Sequence, residues 1–175
     1  FLRKKYDVDI IGMEPALKVA CDRGDNQRIA VWATELTLSE KKFADLMDRF
    51  KDEHHIVKVP CPKLVRMVED DKLDDVDLVE SVLKEYLEAC DYKNLDSIVL
   101  GCTHFPFYTK YLERLCPNIH IIEGSVGTTL HTKDLLEQKG LLNMSDEIGN
   151  ITWMNTMESK IELSKRLFKM LEVEA

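Results

Sequence analysis

The chain has 175 residues, 45% of them hydrophobic, and 32 acidic against 24 basic side chains give a formal net charge of −8. That mixture can bury a core for one medium domain or two small ones, and it excludes disorder, which needs low hydrophobicity with high charge. The acidity argues against a nucleic-acid partner, which needs a basic face, and no apolar run approaches the roughly 18 residues of a membrane span.

The pattern alternates strands with helices. Val8–Gly12 reads as a short strand, and Glu14 to Arg23 as a helix with Pro15 in its first turn, where a missing N–H costs little. Arg28–Ala33 is a mostly apolar strand, the mark of burial on both faces. Ser39 to Phe50 predicts an amphipathic helix whose apolar stripe is Phe43, Leu46, Met47 and Phe50. Ile56–Val59 is a strand stopped by Pro60-Cys61-Pro62, and Lys63–Asp70 a helix. An acidic turn leads into a helix over Val76–Ala89, where early carboxylates suit the helix dipole. Ser97–Gly101 is a strand, Pro106–Leu115 a helix, and Ile119–Ile122 a strand. Gly124 opens a helix to Lys139, with Gly140 as a good residue to end it. Ile151–Met154 reads as a last strand and Glu158–Glu172 as a last amphipathic helix. Strands separated by helices imply an α/β fold with a largely parallel sheet covered on both faces. Ligands of such sheets bind at the carboxyl ends of the strands, so the residues just after each strand carry the functional signal.

Five cysteines stand at positions 21, 61, 90, 102 and 116. The number is odd and no pair has C-x-x-C spacing, so the reading is reduced thiols in the cytosol, with neither a disulfide framework nor a zinc site. The opening Phe1-Leu2-Arg3-Lys4-Lys5-Tyr6 lacks the apolar stretch of a signal peptide. The first residue is Phe rather than Met, which reads as a piece of a longer protein.

Four strand exits are informative. After Arg28–Ala33 come Thr34 and Thr37, which can offer hydroxyls and N–H groups to an anion. Equally, Thr37 or Ser39 can simply cap the next helix. Cys61, between two prolines, reads as packing. After Ser97–Gly101 comes Cys102-Thr103-His104-Phe105-Pro106. Gly101 lets the chain turn sharply. Cys102 then sits at the sheet edge before a helix start that lowers thiol pKa, and His104 is close enough to pair with it. A free thiol titrates near 8.5 and needs such help to act as a base near neutrality. The other reading is a buried Cys beside a capping Thr and a surface His. Glu123-Gly124-Ser125-Val126-Gly127-Thr128-Thr129 lacks the Gly-Lys-[Ser/Thr] ending of a P-loop and reads as a glycine-assisted helix start. The remaining histidines lack metal-ligand spacing.

Leu100-Gly101-Cys102-Thr103-His104-Phe105-Pro106 closely resembles the second cysteine motif of glutamate racemases, members of the aspartate/glutamate racemase superfamily. Ile11-Gly12-Met13-Glu14-Pro15-Ala16, Val31-Trp32-Ala33-Thr34-Glu35-Leu36-Thr37 and Cys61-Pro62-Lys63-Leu64-Val65 through Val68-Glu69 resemble further family segments in the family's order. The resemblance implies cofactor-independent, metal-free interconversion of L- and D-glutamate for peptidoglycan synthesis in the cytoplasm, by two cysteines on opposite sides of the substrate Cα. It makes Cys102 one of the two and His104 its assistant, with Glu69 the acidic residue beside them. Thr103 would bind the amino acid, and Thr34 and Thr37 a substrate carboxylate. The partner implied is the small-molecule substrate, with a homodimer as the family's usual assembly.

The resemblance also implies a division of the chain. Residues 1–12 would be the tail of a first α/β domain, 13–121 a second domain carrying Cys102, and 122–175 a return to the first. The returning helices should then expose apolar faces unless something covers them. Leu36 stands where the family usually has Gly, and Glu123-Gly124-Ser125 replaces an Asp-Ser-Gly-like turn. The family's opening third, with its first catalytic cysteine, has no counterpart after Phe1, so the chain alone is expected to be inactive. Two alternatives remain: a racemase of the same superfamily acting on aspartate or another amino acid, and a degenerate binding or regulatory homologue.

Overall fold

The computed structural model describes residues 2–13, 16–147 and 149–172. Four parallel strands form one sheet in the order β2-β1-β3-β4, with β1 at Arg28–Ala33, β2 at His55–Pro60, β3 at Ser97–Leu100 and β4 at His120–Glu123. Ala30 and Trp32 point to one face and Ile29 and Val31 to the other, all buried, as period-2 alternation in a doubly covered sheet requires. The helices are α1 (Leu2–Lys5), α2 (Leu17–Cys21), α3 (Glu35–Ser39), α4 (Lys41–Asp48), α5 (Pro62–Glu69), α6 (Val76–Ala89), α7 (Thr109–Leu115), α8 (Ser125–Gln138) and α9 (Ile161–Glu172). No helix among the described residues is long and apolar enough to cross a membrane.

Each face of the sheet has its own core. On one, α6 buries Val79, Leu83, Tyr86 and Leu87, a helical stripe that meets Trp32 and Ile98. Gross burial of those four side chains contributes roughly 6–12 kcal/mol before entropy is charged against it. Asp75 starts this helix by accepting the Leu78 N–H at 3.1 Å. On the other face α2 and α4 supply Leu17, Ala20, Cys21 and Phe43 against Ile29, Val31 and Val99. The sheet is therefore the middle layer of an αβα arrangement, the α/β class expected from the sequence.

One residue ties three strand starts together. The Asp96 carboxylate accepts the Arg28 N–H at 2.7 Å. Its own N–H donates to the Arg28 carbonyl at 2.8 Å, and its carbonyl accepts the His120 N–H at 3.0 Å. From there β1 and β3 run in register from Ile29 beside Ser97 to Trp32 beside Leu100.

Several sequence expectations need correction. Val8–Gly12 and Ile151–Met154 are not strands; a strand exists only with a ladder partner, and the sheet's outer strands pair with neither segment. The helix expected over Glu14–Arg23 is the shorter α2, and Glu14 and Pro15 lie outside the described residues. The helix expected from Ser39 begins instead at Glu35, because Thr34 caps it, and it breaks at extended Glu40 before resuming as α4. The helix expected from Pro106 starts as a 3-10 turn, Phe105–Tyr108. Gly140 does end α8, at φ +65, the left-handed conformation that glycine adopts freely. Nothing of α8 is buried, and it exposes Val126 and Leu130.

Candidate active site

Strands β1 and β3 are neighbours, and their connections leave toward opposite edges of the sheet. Their carboxyl ends therefore open a crevice at the topological switch point. After β3, the Gly101 N–H donates to the Trp32 carbonyl at 2.7 Å, which holds the exit of β3 against β1. A cavity of about 530 Å³ lies beyond, and Gly101, Cys102, Thr103 and Thr37 line it. That is room for a small amino acid.

Cys102 is partly exposed to this space, while Cys21, Cys61, Cys90 and Cys116 are buried. The Cys102 Sγ lies 3.8 Å from His104 Nδ1. The other ring nitrogen, Nε2, lies 2.8 Å from Glu69 Oε1 at the end of α5. The three side chains form a chain of contacts that leads away from the cavity. Cys102 faces the space, and His104 and Glu69 stand behind it. A doubly protonated imidazole can donate to the sulfur and to the carboxylate at once.

The electrostatics follow from that order. Burial disfavours the Cys102 thiolate, but the hydrogen bonds and charge of His104 outweigh it and bring the thiol below its ordinary value. The bond to Cys102 raises His104, burial works against it, and Glu69 adds to the rise, which carries the imidazole to about 9. His104 in turn holds the Glu69 carboxyl below the usual range. Both shifts act in the same sense: relative to the free side chains they favour a thiolate on Cys102 and an imidazolium on His104. The other cysteines go the opposite way: burial pushes Cys21 and Cys116 up to about 11, and raises Cys61 and Cys90 as well. A poised thiolate at a cavity wall can act as a base or a nucleophile.

The threonines are placed less uniformly. Thr34 accepts the Thr37 N–H at 3.2 Å, and the two hydroxyls are 3.0 Å apart. Thr34 is thus the helix cap, the role that the sequence offered to Thr37 or Ser39, and Thr37 is the member of the pair that lines the cavity. Leu36 sits in the first turn of α3 with its side chain in solvent. Cys61 is packed in the core, its thiol donating to the Val59 carbonyl at 3.3 Å. Sequence reasoning missed one residue of this cluster. Lys160, 91 positions after Glu69, donates to the Glu69 carbonyl and lies 3.6 Å from its carboxylate. No local pattern marks it.

No family model matches the chain. Among curated relatives, the glutamate racemase of Bifidobacterium animalis subsp. lactis is 49% identical over 173 residues, covering 96% of this chain and 67% of its own length. Among solved structures, Escherichia coli glutamate racemase in complex with L-glutamate and the activator UDP-MurNAc-ala superposes with a TM-score of 0.73 at 25% identity. That match covers 96% of this chain and 64% of the other. The glutamate racemase of Francisella tularensis subsp. tularensis in complex with D-glutamate gives 0.57 at 27%, over 69% and 45%. The chain thus spans about two thirds of the length of its curated relative.

Proposed function

Because the chain belongs to the glutamate racemase family, we propose that the whole protein interconverts L- and D-glutamate by proton transfer at Cα, without a cofactor. The observation that carries this is the Cys102–His104–Glu69 chain ending on a cavity at the sheet's switch point. The Cα of an amino acid beside its carboxylate is a very weak acid. A base that removes its proton must be held close and aligned, which is what a thiolate on a short, glycine-turned strand exit provides. In one direction the Cys102 thiolate takes the α-proton, and the carbanion receives a proton on its other face. In the reverse direction the Cys102 thiol is the donor. His104 stabilises the thiolate while it waits, and Glu69 keeps His104 charged.

Inversion requires a second acid–base group across the substrate. We assign it to the part of the relatives' length that this chain does not span. The resemblance divides the chain at 121/122, but β4 continues in the Cys102 sheet to Glu123 and α9 packs on that domain's core, so in this reading 1–12 and α8 belong to the neighbouring domain, whose remainder covers the exposed apolar face of α8. Thr103 and Thr37 bind the substrate from the cavity wall, and Thr34 fixes Thr37. The relatives' complexes with L- and D-glutamate support glutamate as the substrate. A cytoplasmic location, a homodimer and a role in supplying D-glutamate for peptidoglycan, and so in cell-wall biogenesis and cell shape, complete the proposal.

The test uses the full-length protein. Optical rotation of L-glutamate should decay to zero, and L-aspartate should be a poor substrate. Cys102→Ser should lower kcat/KM by roughly a thousandfold or more. A faster decay with aspartate would move the assignment to another member of the superfamily. Full activity in Cys102→Ser would remove the site.

A further inference from the structure

Glu69 is the last residue of α5, with Asp70 and Asp71 directly after it. A carboxylate is disfavoured there. The helix C-terminus carries partial negative charge, which opposes a carboxylate in the last turn. Water competes with His104 for the Glu69 side chain, which is 48% exposed.

Lys160 opposes that competition. It ends the 3-10 turn Glu158–Lys160, just before α9. Its ammonium donates to the Glu69 backbone carbonyl and stands 3.6 Å from Oε2, while Oε1 faces His104. One carboxylate oxygen is thus held on each side. The turn itself is fixed, since Ser164 Oγ donates to the Lys160 carbonyl at 2.9 Å. Beyond it α9 is anchored by Arg166, which pairs with Asp71 and Asp74, and by Leu167 and Met170 against the core. The groups facing His104 are Cys102 on one nitrogen and Glu69 on the other, with Lys160 behind the carboxylate.

We propose that Lys160 is a positioning residue for the proton-transfer chain: it holds the Glu69 carboxylate against His104 and so makes the C-terminal segment part of the active site's support. This rests on the reading of Cys102 as the acid–base group. An exposed ion pair adds little to global stability, so the effect should be local.

The experiment compares Lys160→Met and Lys160→Arg in the full-length protein, by NMR titration of the His104 ring and by kcat/KM for glutamate. In Lys160→Met the His104 pKa should fall from about 9 by at most about one unit, in the same direction as loss of the Glu69 charge itself, and the alkaline limb of kcat/KM should move down with it while the rate at pH 7 stays nearly intact. Lys160→Arg should restore both. A His104 pKa that stays or rises in Lys160→Met would overturn the proposal, because loss of a mere bystander cation raises it. So would a drop of more than about 5 °C in the melting temperature of Lys160→Met, which would mark a loss from the fold itself. So too would Lys160→Arg behaving like Lys160→Met. An unsubstituted protein without racemase activity would instead fail the functional reading, and the His104 titration would still decide this one.

Discussion

Replacing Glu69 by Gln keeps an oxygen for His104 and removes only the charge. The perturbation therefore isolates electrostatics from geometry. His104 is raised from 6.5 to about 9, first by Cys102, against burial, and then by Glu69. Its side chain is 28% exposed, and the whole rise corresponds to roughly 3 kcal/mol of preference for the imidazolium at about 1.4 kcal/mol per unit. Glu69 is the smaller contributor and sits in a wetter position, so its screened share is about one unit. At pH 8 the charged fraction of His104 should then fall from about nine-tenths to about half, while at pH 7 it falls only from nearly complete to about nine-tenths. The sign is that of a raised base: the imidazolium is complete well below its folded pKa and is lost as pH rises through it. Glu69→Gln should move the alkaline limb of kcat/KM about one unit lower and leave the rate at pH 7 nearly intact. The assay is kcat/KM across pH 6–10 beside a titration of the His104 ring. An unmoved alkaline limb, or a loss as large at pH 6.5 as at pH 8.5, would refute the idea that Glu69 acts through the charge on His104.

Cys102 should be the first cysteine alkylated by iodoacetamide at pH 7.5, ahead of Cys21 and Cys116 at about 11; peptide mapping at short times reads the order. In His104→Gln the same labelling should slow and its pH inflection move upward, since the imidazole's hydrogen bond and charge are lost and burial is then opposed only by the backbone hydrogen bond of residue 104. Thr34→Ala should cost about 1 kcal/mol by removing the cap of α3, read as a lower urea midpoint, and Thr34→Ser should recover it.

Much of this could be read from the chain, for local reasons. The bounds of β1 and α6 are those the sequence indicated, because an apolar run buried on both faces and a long stripe with an Asp start are signals complete within their own span. Cys102 and His104 were visible as a pair because two positions separate them. The contact of His104 with Glu69 spans 35 positions and came only through resemblance to a family. Lys160 had no signal at all, since a lysine before an amphipathic helix is ordinary until the fold shows what it touches. The misread strands fail for a related reason: Ile151–Met154 has strand-like residues, but pairing is a property of the partner as much as of the segment.

Asp96 stands at the far end of the sheet from the chemistry, yet it fixes where β1 and β3 begin. From Asp96 to Cys102 the chain runs roughly 20 Å in extended form. A slip of a single position there would displace the sulfur by about 3.3 Å and turn it to the opposite face, whereas proton transfer tolerates misplacement of only about 1 Å. The sheet thus works as a ruler whose zero mark is a carboxylate on the side away from the substrate. A residue that never meets the substrate sets the aim of the one proposed to do so.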